Sequence, residues 1–77
     1  MRLREPYRGY IVEADPVRRG RRWAACVVFE MREHGALHFQ EVPDDPFVLY
    51  ETKELAGQRS LQFGKALLDT RPAHEPS

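Results

Sequence analysis

The sequence has 77 residues, of which 42% are hydrophobic and 31% charged, and its 12 basic residues balance its 12 acidic residues. A chain of this length is enough for one small domain, residues 1–77, with a thin core. The zero net charge excludes a strong overall field that would attract a polyanion, and the presence of only one cysteine, Cys26, excludes an internal disulfide.

The first half of the chain has the pattern of an antiparallel sheet. Residues 1–6 are expected to be a flexible polar lead-in, so the ordered core should begin near residue 7. Alternating apolar and polar side chains predict a first strand, which Asp15-Pro16 ends. β-branched and aromatic residues predict a second strand, and a His34-Gly35 turn leads into a third. The predicted strands are Tyr10–Ala14, Trp23–Arg32 and Ala36–Val42.

A helix is expected to close the fold. Residues 47–50 read as a short edge strand or an extended segment, and Thr52 has the side chain of an N-cap. A helical period then runs from Lys53 to about Asp69, and residues 71–77 are expected to be a flexible tail. The sequence therefore predicts an α+β fold: a three- to four-stranded antiparallel meander with one C-terminal helix packed on one face.

The same periods predict which side chains form the core. Gly57 and Gly64 lie on one side of the helix, which indicates either a close approach of helix to sheet or plain tolerance of glycine. The predicted core residues are Tyr10, Val12, Trp23, Val27, Phe29, Leu37, Phe39, Phe63 and Leu67.

A single helix leaves the second face of the sheet uncovered. Ile11, Cys26 and Val28 are expected to form a modest apolar patch there, and we treat them as candidate interface residues. Charge is also uneven, because residues 1–22 hold seven arginines and three acids whereas residues 30–54 hold two basic residues and seven acids. Such opposed halves can serve folding, self-association or a partner.

The stretch VRRGRRW presents four arginines around one glycine: Arg18, Arg19, Arg21 and Arg22. Arginine forms bidentate bonds to phosphate and can stack on bases, so these residues are candidate nucleic-acid ligands. Trp23 falls on the core face by strand parity and is not expected to stack on bases. The simpler interpretation is a solvated hairpin tip, because runs of charge commonly form solvated surfaces.

The sequence shows no catalytic or cofactor motif. His34 and His38 have the spacing of a helical metal pair but are separated by a turn, and Cys26 has no second cysteine. No glycine-rich phosphate loop is present, and Asp44 and Asp45 lie together in a turn bounded by prolines. We therefore expect no enzyme activity, no metal and no cofactor.

Three stretches together resemble a known group of small proteins: YRGYIVEADP, RRWAACVVFE and ETKELAGQRSLQFGKALLD. They are similar to the short bacterial domain called HlyU-like, with Gly9-Tyr10, Pro16, Gly64-Lys65 and Asp69 at corresponding places. Leu68 stands where that group has isoleucine. The resemblance implies a small bacterial protein and names no catalytic residue.

These observations lead to two hypotheses about function. The first is a non-enzymatic bacterial interaction module, with a homodimer as one possible form. The second is a nucleic-acid-binding domain that uses Arg18, Arg19, Arg21 and Arg22. A single cysteine and the lack of a signal peptide or an apolar spanning segment indicate the cytoplasm and no membrane partner.

Overall fold

The computed structural model describes residues 3–72 and has an α+β fold, as predicted. Seven short strands precede one helix, and every strand pair is antiparallel. The elements are β1 (Arg4–Tyr7), β2 (Tyr10–Ala14), β3 (Val17–Arg19), β4 (Arg22–Ala24), β5 (Cys26–Glu33), β6 (Ala36–Pro43), β7 (Leu49–Tyr50) and α1 (Lys53–Asp69).

The strands form two sheets rather than the single sheet predicted. The larger sheet has the order β1-β2-β5-β6, and the smaller one has the order β3-β4-β7. The predicted second strand is divided at Ala25, because the backbone there forms hydrogen bonds outside the two sheets. The Ala25 carbonyl accepts a bond from Asp44 N–H at 3.1 Å, and Cys26 N–H donates to Ser60 Oγ at 2.9 Å. One predicted strand therefore contributes to both sheets.

Residues 4–6 and Arg71, which were expected to be flexible, take part in the fold. Residues 1–2 and 73–77 lie outside the described residues, but Arg4 to Pro6 belong to β1, which pairs with β2. At the other end, Arg71 N–H donates to the Leu68 carbonyl at 3.0 Å, and the Arg71 guanidinium lies 6.0 Å from the centre of the Phe29 ring. The described parts of both segments therefore contact the rest of the domain.

Two-residue turns set the registers of the larger sheet. Arg8 and Gly9 join β1 to β2, and His34 and Gly35 join β5 to β6; all four residues have a positive φ. Positive φ at both central positions is the geometry of a type I′ hairpin turn, which matches the twist of the strands. The His34-Gly35 turn therefore places Glu33 opposite Ala36.

The helix packs on β2 and β5. Thr52 caps its N-terminus, because the side-chain oxygen of Thr52 accepts a bond from Leu55 N–H at 3.1 Å. The core cluster contains Tyr10, Val12, Val27, Phe29 and Leu68. The buried helical stripe runs through Ala56, Gly57, Ser60, Gly64 and Leu68. This stripe is rotated from the predicted one, so Phe63 and Leu67 are only partly buried.

Two predicted core residues lie on the opposite face of the sheet. Directly opposite residues of neighbouring strands share a face, and Phe29 lies opposite Gln40 while Glu30 lies opposite Phe39. Leu37 and Phe39 therefore point away from the helix and are 48% and 62% exposed. Their assignment to the core was wrong because the two-residue turn fixes the parity of β6. Trp23 was also assigned to the core, but it is only partly buried.

Gly64 marks the closest approach of helix and sheet. A Cβ atom at this position would lie 2.7 Å from Val27 Cγ2 and 2.9 Å from Val12 Cγ1. Both distances are shorter than a carbon–carbon contact allows, and both valines are fully buried. At Gly64 the structure therefore supports a close approach of the helix to the sheet rather than a plain tolerance of glycine in the helix.

We expect Gly64→Ala to destabilise the protein by about 1–3 kcal/mol, the usual cost of overpacking a core, although alanine favours a helix by about 1 kcal/mol. Gly57→Ala is the matched control. Its Cβ would meet mainly the end of the Leu3 side chain, at 3.0 Å, so its effect should stay within about 1 kcal/mol of zero. Urea unfolding measures both; equal effects would contradict the close approach at Gly64.

Candidate interaction surfaces

The outer sheet face is the face of the larger sheet that points away from α1. The register places one row of side chains straight across it: Pro6 beside Ile11, Ile11 beside Glu30, and Glu30 beside Phe39. Val28 and Leu37 lie on the same face. The apolar members are thus Pro6, Ile11, Val28, Leu37 and Phe39, and the charged members include Arg4, Glu13, Glu30, Arg32 and Glu41.

Of the candidate interface residues, Ile11 and Val28 lie on this face and are partly exposed. Cys26 has the same parity but is only 1% exposed, so it adds no accessible surface. Leu37 and Phe39 are exposed large apolar side chains of this face, and the sequence interpretation missed them. The His34-Gly35 turn was the available signal, since a two-residue turn fixes which residues of β6 share a face with Val28.

An ion pair lies within the outer sheet face. Arg4 Nη2 donates to Glu30 Oε2 at 2.6 Å, and the side chains of Arg4 and Glu30 are 48% and 10% exposed. The Glu30 carboxylate is nearly buried and needs a charged partner to offset its lost hydration. Nothing in the sequence pattern indicates this pair, because its members are 26 residues apart.

We expect Arg4→Gln to destabilise the protein by about 1–3 kcal/mol, the cost of leaving a buried acceptor without its partner. Arg19→Gln is the control, because Arg19 is exposed and lies directly opposite Arg22, where a second positive charge is unfavourable. Arg19→Gln should be neutral or slightly stabilising. Thermal unfolding measures the stability of both variants. Equal losses would contradict a stabilising role for the ion pair of Arg4 and Glu30.

Cys26, Asp15 and Glu41 form a small polar cluster at one end of β5. One side-chain ligand atom from each lies within 4.8 Å of the others, and this is the one group of three potential metal ligands found among residues 3–72. Cys26 Sγ donates to Glu41 Oε1 at 3.5 Å. Burial, followed by the negative charge of Glu41, raises the pKa of Cys26 to about 11. The thiol is therefore protonated at neutral pH and is a weak nucleophile.

We expect Cys26 to react with iodoacetamide at least about 100-fold more slowly in the native protein than in concentrated urea. A pKa raised from 9.0 to about 11 lowers the thiolate fraction at pH 8 by about that factor, and burial slows the reaction further. Mass spectrometry of timed samples measures both rates. Comparable rates would show that the thiol is accessible and ionised in the folded state.

The two histidines contribute to no metal-ligand group among the described residues. His34 lies exposed in the β5–β6 turn, with its Nε2 4.0 Å from Glu33 Oε1. His38 is exposed on β6. Ser60 is the one serine within residues 3–72; it is buried, donates to the Ala56 carbonyl at 2.6 Å and accepts from Cys26 N–H. Its hydroxyl therefore has a structural role in joining helix to sheet.

The arginine stretch forms the β3–β4 hairpin, with Gly20 and Arg21 as its two turn residues. All four arginines are exposed, and Arg18 Nε donates to the Gly20 carbonyl at 3.0 Å. The register aligns Arg18 with Trp23, and Trp23 with Tyr50 of β7. The Lys53 ammonium lies 5.6 Å from the centre of the Trp23 ring. The structure thus places Tyr50 beside Trp23, in one row with Arg18 across the smaller sheet, which the sequence alone did not indicate.

A surface groove of about 650 Å³ lies beside the N-terminal turns of α1. Its charged lining consists of the carboxylates of Glu13, Asp15 and Glu54 and the ammonium of Lys53. An excess of negative charge disfavours phosphate-bearing ligands. The groove therefore differs from the arginine hairpin in its chemistry, although Lys53 lies at both.

The chain matches no protein-family model, no curated protein and no solved structure. Within the described residues, no helix has both the length and the apolar character needed to cross a membrane.

Proposed function

We propose that this protein is a non-enzymatic interaction module that pairs with a second copy of itself through β6 and the outer sheet face. The observation that carries the proposal is the exposure of Leu37 and Phe39, at 48% and 62%, on a strand that forms the edge of its sheet. Phe39 lies diagonally across from Val28, and the charged side chains of Glu30, Arg32 and Glu41 lie around them on the same face. An exposed apolar patch with a polar rim is typical of a protein interface.

The two edges of the larger sheet differ in their protection. β1, at one edge, has only four residues and contains Pro6, which cannot donate a ladder hydrogen bond. β6, at the other edge, has eight residues, and Pro43 comes only at its end. Between Ala36 and Val42 there is no lysine or proline. Long edge strands without such protection readily pair with another strand, so β6 is the edge suited to an additional strand.

A second copy fits this edge because β6 is complementary to itself. In an antiparallel pairing centred on His38, Leu37 of each copy lies opposite Phe39 of the other. This arrangement creates two aliphatic–aromatic cross-strand pairs on the outer sheet face, each worth about 0.2–1 kcal/mol relative to alanine. Two-fold symmetry uses the same surface on both copies and closes after two subunits. The product is a continuous antiparallel sheet with one helix from each copy.

We further propose that the dimer operates in the bacterial cytoplasm. The support is the single cysteine, which is buried and free, a state that suits a reducing compartment. The absence of activity is supported by the chemistry of the described residues, whose buried thiol and buried serine are both unsuited to attack a substrate.

We expect the wild-type protein to sediment as a dimer and Phe39→Lys to sediment as a folded monomer, because the lysine places a charge at the centre of the proposed interface. Phe39 is 62% exposed, so the substitution should leave the fold intact. Phe47→Lys is the matched control: Phe47 is 93% exposed and lies outside the outer sheet face, so this variant should remain dimeric.

Sedimentation velocity over a range of protein concentrations, with circular dichroism to confirm folding, makes the comparison. A wild-type protein that stays monomeric at every concentration would overturn the proposal. Dimers of equal stability in the wild type and in Phe39→Lys would also overturn it, because they would place the interface elsewhere.

A further inference from the structure

The arginine hairpin lies on the smaller sheet and has no part in the proposed dimer. Its four guanidinium groups form no ion pair with a carboxylate within residues 3–72, whereas Arg4, Arg59 and Lys65 each have such a partner. Arg19 and Arg22 are also directly opposite each other, and like charges in such a pair are destabilising. This concentration of uncompensated positive charge suits an anionic ligand.

An aromatic row lies beside these charges. Trp23 and Tyr50 are neighbours across β4 and β7, both partly exposed, and Arg18 continues the row on β3. The ammonium of Lys53 lies 5.6 Å from the centre of the Trp23 ring and adds a cation beside the row. Phe47, three residues before Tyr50, is 93% exposed. The surface thus combines aromatic faces with cations along one side.

We propose that this surface binds single-stranded nucleic acid, with bases stacked on Trp23 and Tyr50 and phosphates held by Arg18 and Arg21. Single-strand binding combines a positively charged track with aromatic side chains on which bases stack. A duplex already stacks its bases on one another and cannot offer their faces to Trp23. A single strand therefore uses both halves of the surface, whereas a duplex uses only the arginines.

Negative charge limits the path of the strand. Glu51 follows Tyr50 directly, and Glu54 lies in the first turn of α1. The phosphates must therefore run on the Arg18 side of the aromatic row. This path restricts the site to a few nucleotides. For each phosphate that the site contacts, the logarithm of the binding constant should change by about −0.7 per unit of the logarithm of salt concentration.

The test uses fluorescently labelled oligouridylate and oligothymidylate of about 12 nucleotides, within the range that such sites cover, and a duplex of the same length. Anisotropy reports affinity, and the fluorescence of Trp23, the chain's only tryptophan, reports stacking at the site itself. We expect micromolar binding of the single strands at physiological salt, quenching of Trp23 and clearly weaker binding of the duplex. Comparing the RNA probe with the DNA probe shows whether the affinity depends on the sugar.

Two pairs of variants separate the contribution of the arginine charges to binding from the contribution of the aromatic rings. The double substitution Arg18→Gln with Arg21→Gln should reduce the salt slope by about 1.4, from about 0.7 for each of two phosphates. The double substitution Arg8→Gln with Arg59→Gln has the same net charge, affects two exposed arginines outside the hairpin and the outer sheet face, and should leave the slope unchanged. Tyr50→Leu should weaken binding about 5- to 150-fold at an unchanged slope, from the stacking contribution of one base, and Tyr50→Phe should retain the affinity.

Several results would overturn the proposal. Millimolar affinity for every probe would show that the hairpin is only solvated. Equal losses in the two double-arginine variants would show non-specific attraction. Binding of the duplex as tight as that of the single strand, or tight binding to vesicles containing phosphatidylserine without binding to either oligonucleotide, would assign the arginines to a different ligand.

Discussion

The close contact of α1 with β2 and β5 at Gly64 is the constraint on which the rest of the structure depends. A side chain larger than hydrogen there would meet Val12 and Val27 within the core, so the helix lies nearly on the backbone of the sheet. A helix of 17 residues is about 25 Å long and covers one face of one sheet. The outer sheet face and the arginine hairpin remain exposed because the chain has no second helix within residues 3–72 to cover them.

The two exposed surfaces use opposite kinds of chemistry. The outer sheet face has apolar side chains among charged ones that include the ion pair of Arg4 and Glu30, and its edge strand offers backbone hydrogen bonds. The hairpin presents four cations that have no carboxylate partner within residues 3–72, beside two aromatic rings. Because they lie on different sheets, a copy bound at β6 would leave the hairpin accessible. A symmetric pair would then present two hairpins, and a strand long enough to reach both would bind with the advantage of two linked sites.

The Cys26 region joins these parts. Ser60 of the buried helical stripe accepts the Cys26 N–H at the point where one sheet gives way to the other, and the thiol of the same residue lies against Glu41 of β6. This polar connection ties the helix to β5 and to the edge strand β6.

The sequence by itself determined the elements whose signals are local. The helix, its Thr52 cap, the strand Tyr10–Ala14 and the α+β class follow from side-chain period, capping chemistry and turn residues. Even the outward position of Leu37 and Phe39 was encoded locally, in the two-residue His34-Gly35 turn, although apolar character alone suggested burial. Only the tertiary structure decided the break at Ala25, the pairing of Trp23 with Tyr50 and the ion pair of Arg4 with Glu30. Each of these joins segments far apart in the chain, and such contacts depend on how the helix and two sheets pack, which no local pattern contains.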